Sequence, residues 1–360
     1  MRVIVSAGGT GGHICPALAI IDKIMEHEPD SEVLYIGTLD RMEATMVPAK
    51  GINYVGIEMK GLNRKNPFKN ISVINSYRKA VKKAKKVIKD FKPDVVLGIG
   101  GYITAPVIIA AHSLGVKTFI HEQNAIPGLS NKILNRYADV VAVSLPDSLR
   151  YFNKKKAIYT GNPTSEEVLM AKPVLKSKYG LSKNKKLVLI VMGSLGSMIV
   201  NKKMRDILPS FEGKEYEVLF VTGNSYYEEY KKLKLPNNVK LVSYLDDMRN
   251  VERVVDVMVS RAGASTIAEI TALGIPTVFI PSPYVTHNHQ YKNALVLKNI
   301  GASSIIEEKD LETTVLLKEI DDIIGNEKKY NSMKKNCQKL AVKDSSTKIY
   351  EIIKKQVEGD

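Results

Sequence analysis

The 360 residues contain no tryptophan and two cysteines, Cys15 and Cys337. With no Cys-x-x-Cys pair and no Cys/His cluster, neither a zinc site nor a disulfide framework is expected, and a reducing, cytoplasmic setting fits best. Low-complexity tracts are absent, so disorder is not the default. Neither Gly-x-Gly-x-x-Gly nor a Walker A loop occurs, because no Gly-Lys-Ser/Thr is present. Asp-x-Asp is missing as well. The opening residues MRVIVSAGG lack the apolar stretch of a signal peptide and read as a strand entering a glycine turn. One uncharged run, 95–116, is long enough to cross a bilayer. It holds Gly98, Gly100, Gly101, Pro106 and His112, and reads instead as a strand, Val95–Gly98, a loop, Ile99–Tyr102, and a helix, Ala105–Leu114.

What is present points to two globular domains. The length exceeds one ordinary domain, and 44% hydrophobic residues suffice for two cores. The net charge is +15 and uneven: residues 1–162 carry 23 Lys/Arg against 13 Asp/Glu, and residues 163–360 carry 30 against 25. A basic first half suits an anionic partner such as a membrane surface, a nucleic acid or a phosphorylated substrate.

The two halves begin alike. Val3–Ser6 is an apolar strand followed by Gly8, Gly9, Gly11, Gly12 and His13, then a helix expected from about Pro16. Leu187–Met192 is followed by Gly193, Ser194 and Gly196, then another helix. Further short apolar runs alternate with helical patterns: Glu32–Ile36, Thr118–His121, Val140–Val143, Val218–Val221, Val257–Ser260 and Thr277–Pro281. This alternation predicts parallel sheets covered by helices on both faces, an α/β chain of two Rossmann-like domains. The turn Gly161-Asn162-Pro163 sets the expected boundary, giving domains 1–162 and 163–343. The last helix, 344–360, carries Ile349, Ile352, Ile353 and Val357 on one face and could pack against either domain, a return to the first included.

A glycine-rich strand-to-helix turn lets backbone N–H groups approach an anion, with the helix dipole adding to the attraction. Three such turns, the third around Gly100 and Gly101, favour phosphate or sugar binding over mere close packing. Ser260–Glu269 opens another helix, where Ser265 and Thr266 can cap orphan N–H groups and the Glu269 carboxylate can accept both hydroxyls of a ribose.

Six motifs then carry a specific resemblance. Gly8-Gly9-Thr10-Gly11-Gly12-His13, Gly100-Gly101-Tyr102, His121-Glu122-Gln123-Asn124, Gly161-Asn162-Pro163, Ser260–Glu269, and His289-Gln290 with Asn293-Ala294 look like the signature set of the MurG family, in order and across most of the chain. The resemblance implies a GT-B fold, two doubly wound domains facing a central cleft. The acceptor is expected in the first domain and the UDP-sugar mainly in the second. It implies that Ser194 meets the diphosphate and the Leu245 backbone holds uracil. Ala264, Ser265, Thr266, Ile267, Ala268 and Glu269 would hold phosphate and ribose, with Glu269 on the ribose. Gln290 and Asn124 would hold N-acetylglucosamine, and Thr10, Gly11 and Gly12 would line the cleft. Two departures stand out. The family's Gly-Gly-Ser-Gln-Gly is Gly193-Ser194-Leu195-Gly196 after Met192 here, and the arginine that often follows Gly-Asn-Pro is replaced by Thr164. Arg261 is the candidate to supply that missing cation.

Glycosyl transfer needs an acceptor hydroxyl that loses its proton, an oxocarbenium-like transition state and a stabilised leaving group. Without Asp-x-Asp, helix N-termini and loop amides are expected to stabilise UDP without a metal or other cofactor. His13 is the leading base, since it ends the first glycine loop and titrates near neutrality; His121, followed by Glu122, is the second candidate. By resemblance, the reaction moves N-acetylglucosamine from UDP-GlcNAc to the C4 hydroxyl of an undecaprenyl-linked acceptor, lipid I, with inversion. A UDP-GlcNAc 2-epimerase and a UDP-sugar-dependent glycolipid synthase are the alternatives; a nucleic-acid partner is not expected, and oligomeric state cannot be read. Residues 68–91 hold Lys69, Arg78, Lys79, Lys82, Lys83, Lys85, Lys86 and Lys89 against Asp90. Ile71, Ile74, Tyr77, Val81, Ala84 and Ile88 recur at helical spacing, so most of the apolar stripe is expected in the core and the charges on an anionic membrane surface. The expected location is the cytoplasmic face of the cell membrane, as a peripheral protein.

Overall fold

The computed structural model describes residues 1–59, 70–193 and 196–359. The chain divides into two compact units, Met1–Thr164 with Asp344–Asp360, and Ser165–Lys343. The break therefore falls just beyond the Gly161-Asn162-Pro163 turn.

In the first unit, seven strands form one sheet: β1 (Arg2–Ala7), β2 (Glu32–Thr38), β3 (Asn53–Ile57), β4 (Val95–Gly100), β5 (Lys117–Glu122), β6 (Val140–Val143) and β7 (Ala157–Tyr159). Their order is β3-β2-β1-β4-β5-β6-β7, and every neighbouring pair is parallel. Helices cover both faces, so the central strands are apolar along their length. Val3, Ile4, Val5, Val95, Val96 and Leu97 are all fully buried. The order in which strands are added reverses between β1 and β4, which creates the crevice at their carboxyl ends where such sheets bind ligands.

The second unit repeats the plan. β8 (Leu187–Val191), β9 (Glu217–Val221), β10 (Val239–Val242), β11 (Val257–Ser260), β12 (Thr277–Phe279) and β13 (Ser303–Ile305) run in the order β10-β9-β8-β11-β12-β13, again all parallel. Its switch point lies between β8 and β11.

Several expected boundaries move. The first helix is Gly11–His27, so it begins ahead of Pro16. Thr10 is the extended N-cap, and its carbonyl accepts from the N–H groups of His13 and Ile14. Pro16 then falls in the second turn, where its missing N–H costs one helical bond. β4 runs on through Gly100, shortening the expected loop, and the next helix is Thr104–Ser113. No helix among the described residues is long and apolar enough to cross a membrane.

The last helix, Ser345–Glu358, joins the first unit. Ile349, Tyr350 and Ile353 enter the core formed by β1 and the helix Gly11–His27. Burying each contributes about 1.5–3 kcal/mol. Polar ties reinforce the seat: Lys348 Nζ donates to the Tyr159 carbonyl at 2.8 Å and Tyr350 Oη to Glu28 at 2.9 Å.

The basic helix is Asn70–Phe91. Val73, Ala80, Ala84 and Ile88 are buried, while Arg78, Lys79, Lys82, Lys83, Lys86 and Lys89 are exposed. Ile74 departs from the expected stripe and stands 53% exposed. Lys69 and the side chain of Ile71 lie outside the described residues.

Candidate functional site

At the β1–β4 crevice, three loops converge: Gly8–Gly12 after β1, Gly101–Tyr102 after β4 and Gln123–Asn124 after β5. Gly8 N–H donates to the Gly100 carbonyl at 3.1 Å, which ties the first two loops together. Gly101, at φ +90°, packs so tightly that a Cβ there would lie 2.4 Å from the Gly8 carbonyl oxygen.

The Gly9 N–H donates to Glu43 Oε2 at 3.0 Å. Glu43 is fully buried, and its other oxygen accepts from the N–H and hydroxyl of Thr38 at 3.2 and 2.7 Å. A protein carboxylate thus already takes the amide that the glycine pattern reserves for a ligand. The Gly11 and Gly12 N–H groups open the helix and have no intrahelical acceptor. Thr10 and Gly12 are exposed there and Gly11 is half-buried.

His13 is half-buried at the start of the same helix, with Nδ1 3.1 Å from Gln123 Oε1. Desolvation lowers its pKa below the ordinary value; the Gln123 bond and the Glu43 charge act in the opposite sense without overcoming it. The imidazole is therefore neutral at pH 7. His121 is different: it has no exposed surface, its Nε2 lies 3.0 Å from the Gly161 carbonyl, and its Nδ1 lies 2.9 Å from Gln123 Nε2. Burial pushes its pKa down to about 4. Glu122 is also buried, with its pKa raised by desolvation. It accepts from Asn124 N–H and Nδ2, Gly128 N–H and Asn131 Nδ2 at 2.9–3.2 Å, so it braces the turn that carries Asn124.

In the second unit, the turns after β8 and β11 are neighbours because those strands pair. Ser194, expected at the diphosphate, and its neighbour Leu195 lie outside the described residues. Gly196 follows them at φ +72°, and a Cβ there would meet the Thr222 carbonyl oxygen at 2.8 Å. The helix Ala264–Leu273 starts after Gly263, its extended N-cap. Among the described residues no side chain caps it, Ser265 and Thr266 included, contrary to the expectation for those two. The orphan N–H groups of that first turn are thus left without a side-chain acceptor, and Ser265 Oγ is buried with no partner among the described residues. Ile267 and Ala268 are buried, and the Ile267 N–H already donates to the Gly263 carbonyl at 2.9 Å.

Glu269, expected to be open for a ribose, is instead half-buried with Arg249 Nε at 3.6 Å from Oε1. Arg249 also pairs with Glu167 at 2.5 Å. Burial is the main reason that the Glu269 pKa rises to about 7; Arg249 pulls it down and Glu167 pushes it up. Glu252 lies buried close by, both carboxyl oxygens without a hydrogen-bond partner among the described residues. Desolvation and the Glu269 charge raise its pKa well above the usual range.

Arg261 does not stand free to replace the missing cation. Its guanidinium donates to the Ile280 carbonyl at 2.8 Å and to Ser197 Oγ at 2.7 Å, and pairs with Glu308. Ser197 is the N-cap of the helix Met198–Ile207, so Arg261 acts as a brace beneath the β8 turn. Leu245 is buried in the turn after β10. Gln290, in the first turn of His289–Asn299, accepts from the Ser282 N–H at 2.8 Å. Asn293 is fully buried and reaches the Ala262 carbonyl. Glu43, Arg249 and Glu252 carried no sequence signal, since each sits outside any glycine-punctuated turn.

Residues 3–143 match the glycosyltransferase family 28 N-terminal domain and residues 187–349 the glycosyltransferase family 28 C-terminal domain. The chain is 43% identical over 359 residues to the UDP-N-acetylglucosamine–N-acetylmuramyl-(pentapeptide) pyrophosphoryl-undecaprenol N-acetylglucosamine transferase of Bacillus pumilus (strain SAFR-032), covering 98% of this chain and 99% of the relative. Among solved structures, Acinetobacter baumannii MurG superposes with a TM-score of 0.79 at 28% identity, over 98% of this chain and 99% of that one. A UDP-GlcNAc 2-epimerase from Neisseria meningitidis, bound to UDP-GlcNAc, superposes at 0.70 with 14% identity over 99% and 100% of the two chains, a likeness of fold alone.

Proposed function

The chain belongs to glycosyltransferase family 28, in its MurG branch, and from that premise we infer that it moves N-acetylglucosamine from UDP-GlcNAc to the C4 hydroxyl of undecaprenyl-diphospho-muramyl-pentapeptide. It is a UDP-sugar-dependent N-acetylglucosaminyltransferase of peptidoglycan synthesis, converting lipid I to lipid II. The observation that carries this reading is the end-to-end 43% identity to a transferase of that name, across both family domains.

Residue roles extend the reading. The first unit takes the acceptor. His13, neutral at pH 7 and placed at a loop end, accepts the C4 hydroxyl proton as the oxygen attacks the anomeric carbon. His121 is left out of proton transfer to substrate because it is buried with both nitrogens engaged. The bond to UDP breaks through an oxocarbenium-like transition state, and attack from the opposite face inverts the centre to a β-linkage. Thr10, Gly11 and Gly12 flank the acceptor, and Asn124 contacts the sugar.

The second unit takes the donor. Negative charge growing on the departing diphosphate is met by Ser194 and by the open N–H groups of Ala264, Ser265 and Thr266, with the Ser265 and Thr266 hydroxyls beside them. Glu269 accepts from the ribose, the Leu245 backbone holds the uracil, and Gln290 contacts N-acetylglucosamine. The exposed lysines of Asn70–Phe91 draw the enzyme to the anionic cytoplasmic face of the membrane, each contributing ~1 kcal/mol.

Incubation with labelled UDP-GlcNAc and a short-chain lipid I analogue, with and without EDTA, tests the function. UDP release that depends on acceptor and survives the chelator is expected. Conversion of the nucleotide sugar without acceptor would instead favour an epimerase. Neutralising Lys82, Lys83, Lys85 and Lys86 together should abolish binding to anionic liposomes; unchanged binding refutes the membrane role.

A further inference from the structure

A general base must present a lone pair, and an imidazole has two nitrogens of which only one carries the proton when neutral. Which of them carries it at His13 follows from a chain of buried hydrogen bonds that starts far from the substrate. The chain begins at the Gly161 carbonyl, which can only accept. His121 Nε2, 3.0 Å away, must therefore carry the proton. That leaves a lone pair on His121 Nδ1, in keeping with the neutral state that burial imposes on this ring.

Gln123 comes next and is 1% exposed. Its Nε2 lies 2.5 Å from the Ile99 carbonyl and 2.9 Å from His121 Nδ1. Both are acceptors, so both amide hydrogens are used and the amide cannot be turned round without setting oxygen against oxygen. The amide oxygen then faces His13 Nδ1 at 3.1 Å. An amide oxygen accepts only, so Nδ1 of His13 holds the proton and Nε2 holds the lone pair.

We propose that Gln123 and His121 are positioning residues that read the Gly161 carbonyl and fix His13 as its Nδ1–H tautomer, leaving Nε2 as the basic atom. The proposal rests on the reading of His13 as base. It gives the Gly161 carbonyl, His121 and Gln123 one shared task. It also explains why a buried histidine stands two residues from a buried glutamine on one strand end.

The test is direct. In protein labelled with 15N at histidine, two-bond 1H–15N correlations at neutral pH should show a protonated Nδ1 and an unprotonated Nε2 for His13, and the reverse for His121. A protonated Nε2 on His13 overturns the proposal whatever the kinetics show. Gln123→Leu should mix the two His13 tautomers and lower kcat about tenfold, with KM for UDP-GlcNAc within about twofold. Gln123→Glu keeps an acceptor toward His13. It should move the acid limb of the kcat/KM profile up by about one pH unit, because a carboxylate favours the imidazolium, but should not restore kcat, since a carboxylate oxygen then faces the Ile99 carbonyl and the His121 Nδ1 lone pair where the amide donated. A leucine variant that folds and keeps the single tautomer also overturns the relay. A leucine variant that mixes the tautomers with no loss of turnover would support the relay and overturn His13 as the base.

Discussion

A Cβ placed on Gly100 would lie 2.3 Å from Nδ1 of His13 and 2.8 Å from its Cε1. The imidazole thus rests directly on the backbone at the end of β4, and the absence of a side chain there is what lets it reach Gln123. Gly100 also has φ +127°, where an L side chain is strained. Gly100→Ala should therefore lower kcat by about 100-fold, within the range attributed to a displaced acid–base group, and cost about 1–3 kcal/mol of stability. Gly51→Ala is the control: φ is +77° with nothing within 4 Å of the added Cβ. It should lose a similar increment of stability in urea titration and keep full turnover. Equal activity in both variants would show that the contact with His13 is immaterial.

Glu43 offers a second test. Removing it strands the Gly9 N–H, the Thr38 N–H and the Thr38 hydroxyl in a buried site. Glu43→Ala should cost about 3 kcal/mol, read from denaturant midpoints, because donors left unpaired keep their desolvation penalty. Glu43→Gln is milder to stability but removes a negative charge that supports the His13 imidazolium. The acid limb of kcat/KM should then shift to lower pH. A shift upward would mean that the Glu43 charge does not act on His13.

Much of this was legible in the sequence, for reasons of period and punctuation. Val3–Val5 and Leu187–Val191 are buried on both faces, so they read as continuous apolar runs, and the glycine turns after them mark the switch points. The fate of the last helix was not legible. Its Ile349 and Ile353 stripe fits any apolar groove, and only the fold shows that β1 and the first helix provide one. The surroundings of charged residues were the least legible. Glu269 and Arg261 sit in a ligand-like motif, so they read as open groups. Burial and the partners Arg249 and Glu308 come from segments distant in sequence, which no local pattern reveals.

Arg261 now makes a stability prediction in place of a phosphate contact. Glu308 is 5% exposed and its charge is met by Arg261. Arg261→Ala should cost about 3–5 kcal/mol, the usual consequence of leaving a buried charge unpaired. Replacing both residues by apolar ones, Arg261→Met with Glu308→Leu, should recover much of the loss in thermal denaturation, since the stranded charge is gone. A double variant as unstable as the sum of the two singles would show that the two residues contribute independently.

If Glu269 meets the ribose as proposed, it links donor binding to pH. With a pKa of about 7 it is half protonated at neutrality. The carboxylate is the stronger acceptor for ribose hydroxyls, so UDP affinity measured by calorimetry should weaken as pH falls through about 7. Glu269→Gln should bind more weakly at alkaline pH and lose that step. Stability runs the other way. The unfolded carboxyl titrates near 4.5, so between about 4.5 and 7 the folded protein holds a proton that the unfolded chain has lost. This group's contribution is fully present below about pH 4.5 and is lost as pH rises through about 7. The buried Glu252, shifted in the same direction, adds to the trend. The glutamine variant should therefore gain stability over the parent above pH 7 and show little difference in acid. An affinity for UDP that stays level across this range would remove Glu269 from the ribose site. The glutamine variant's stability curve would still report its burial beside Arg249.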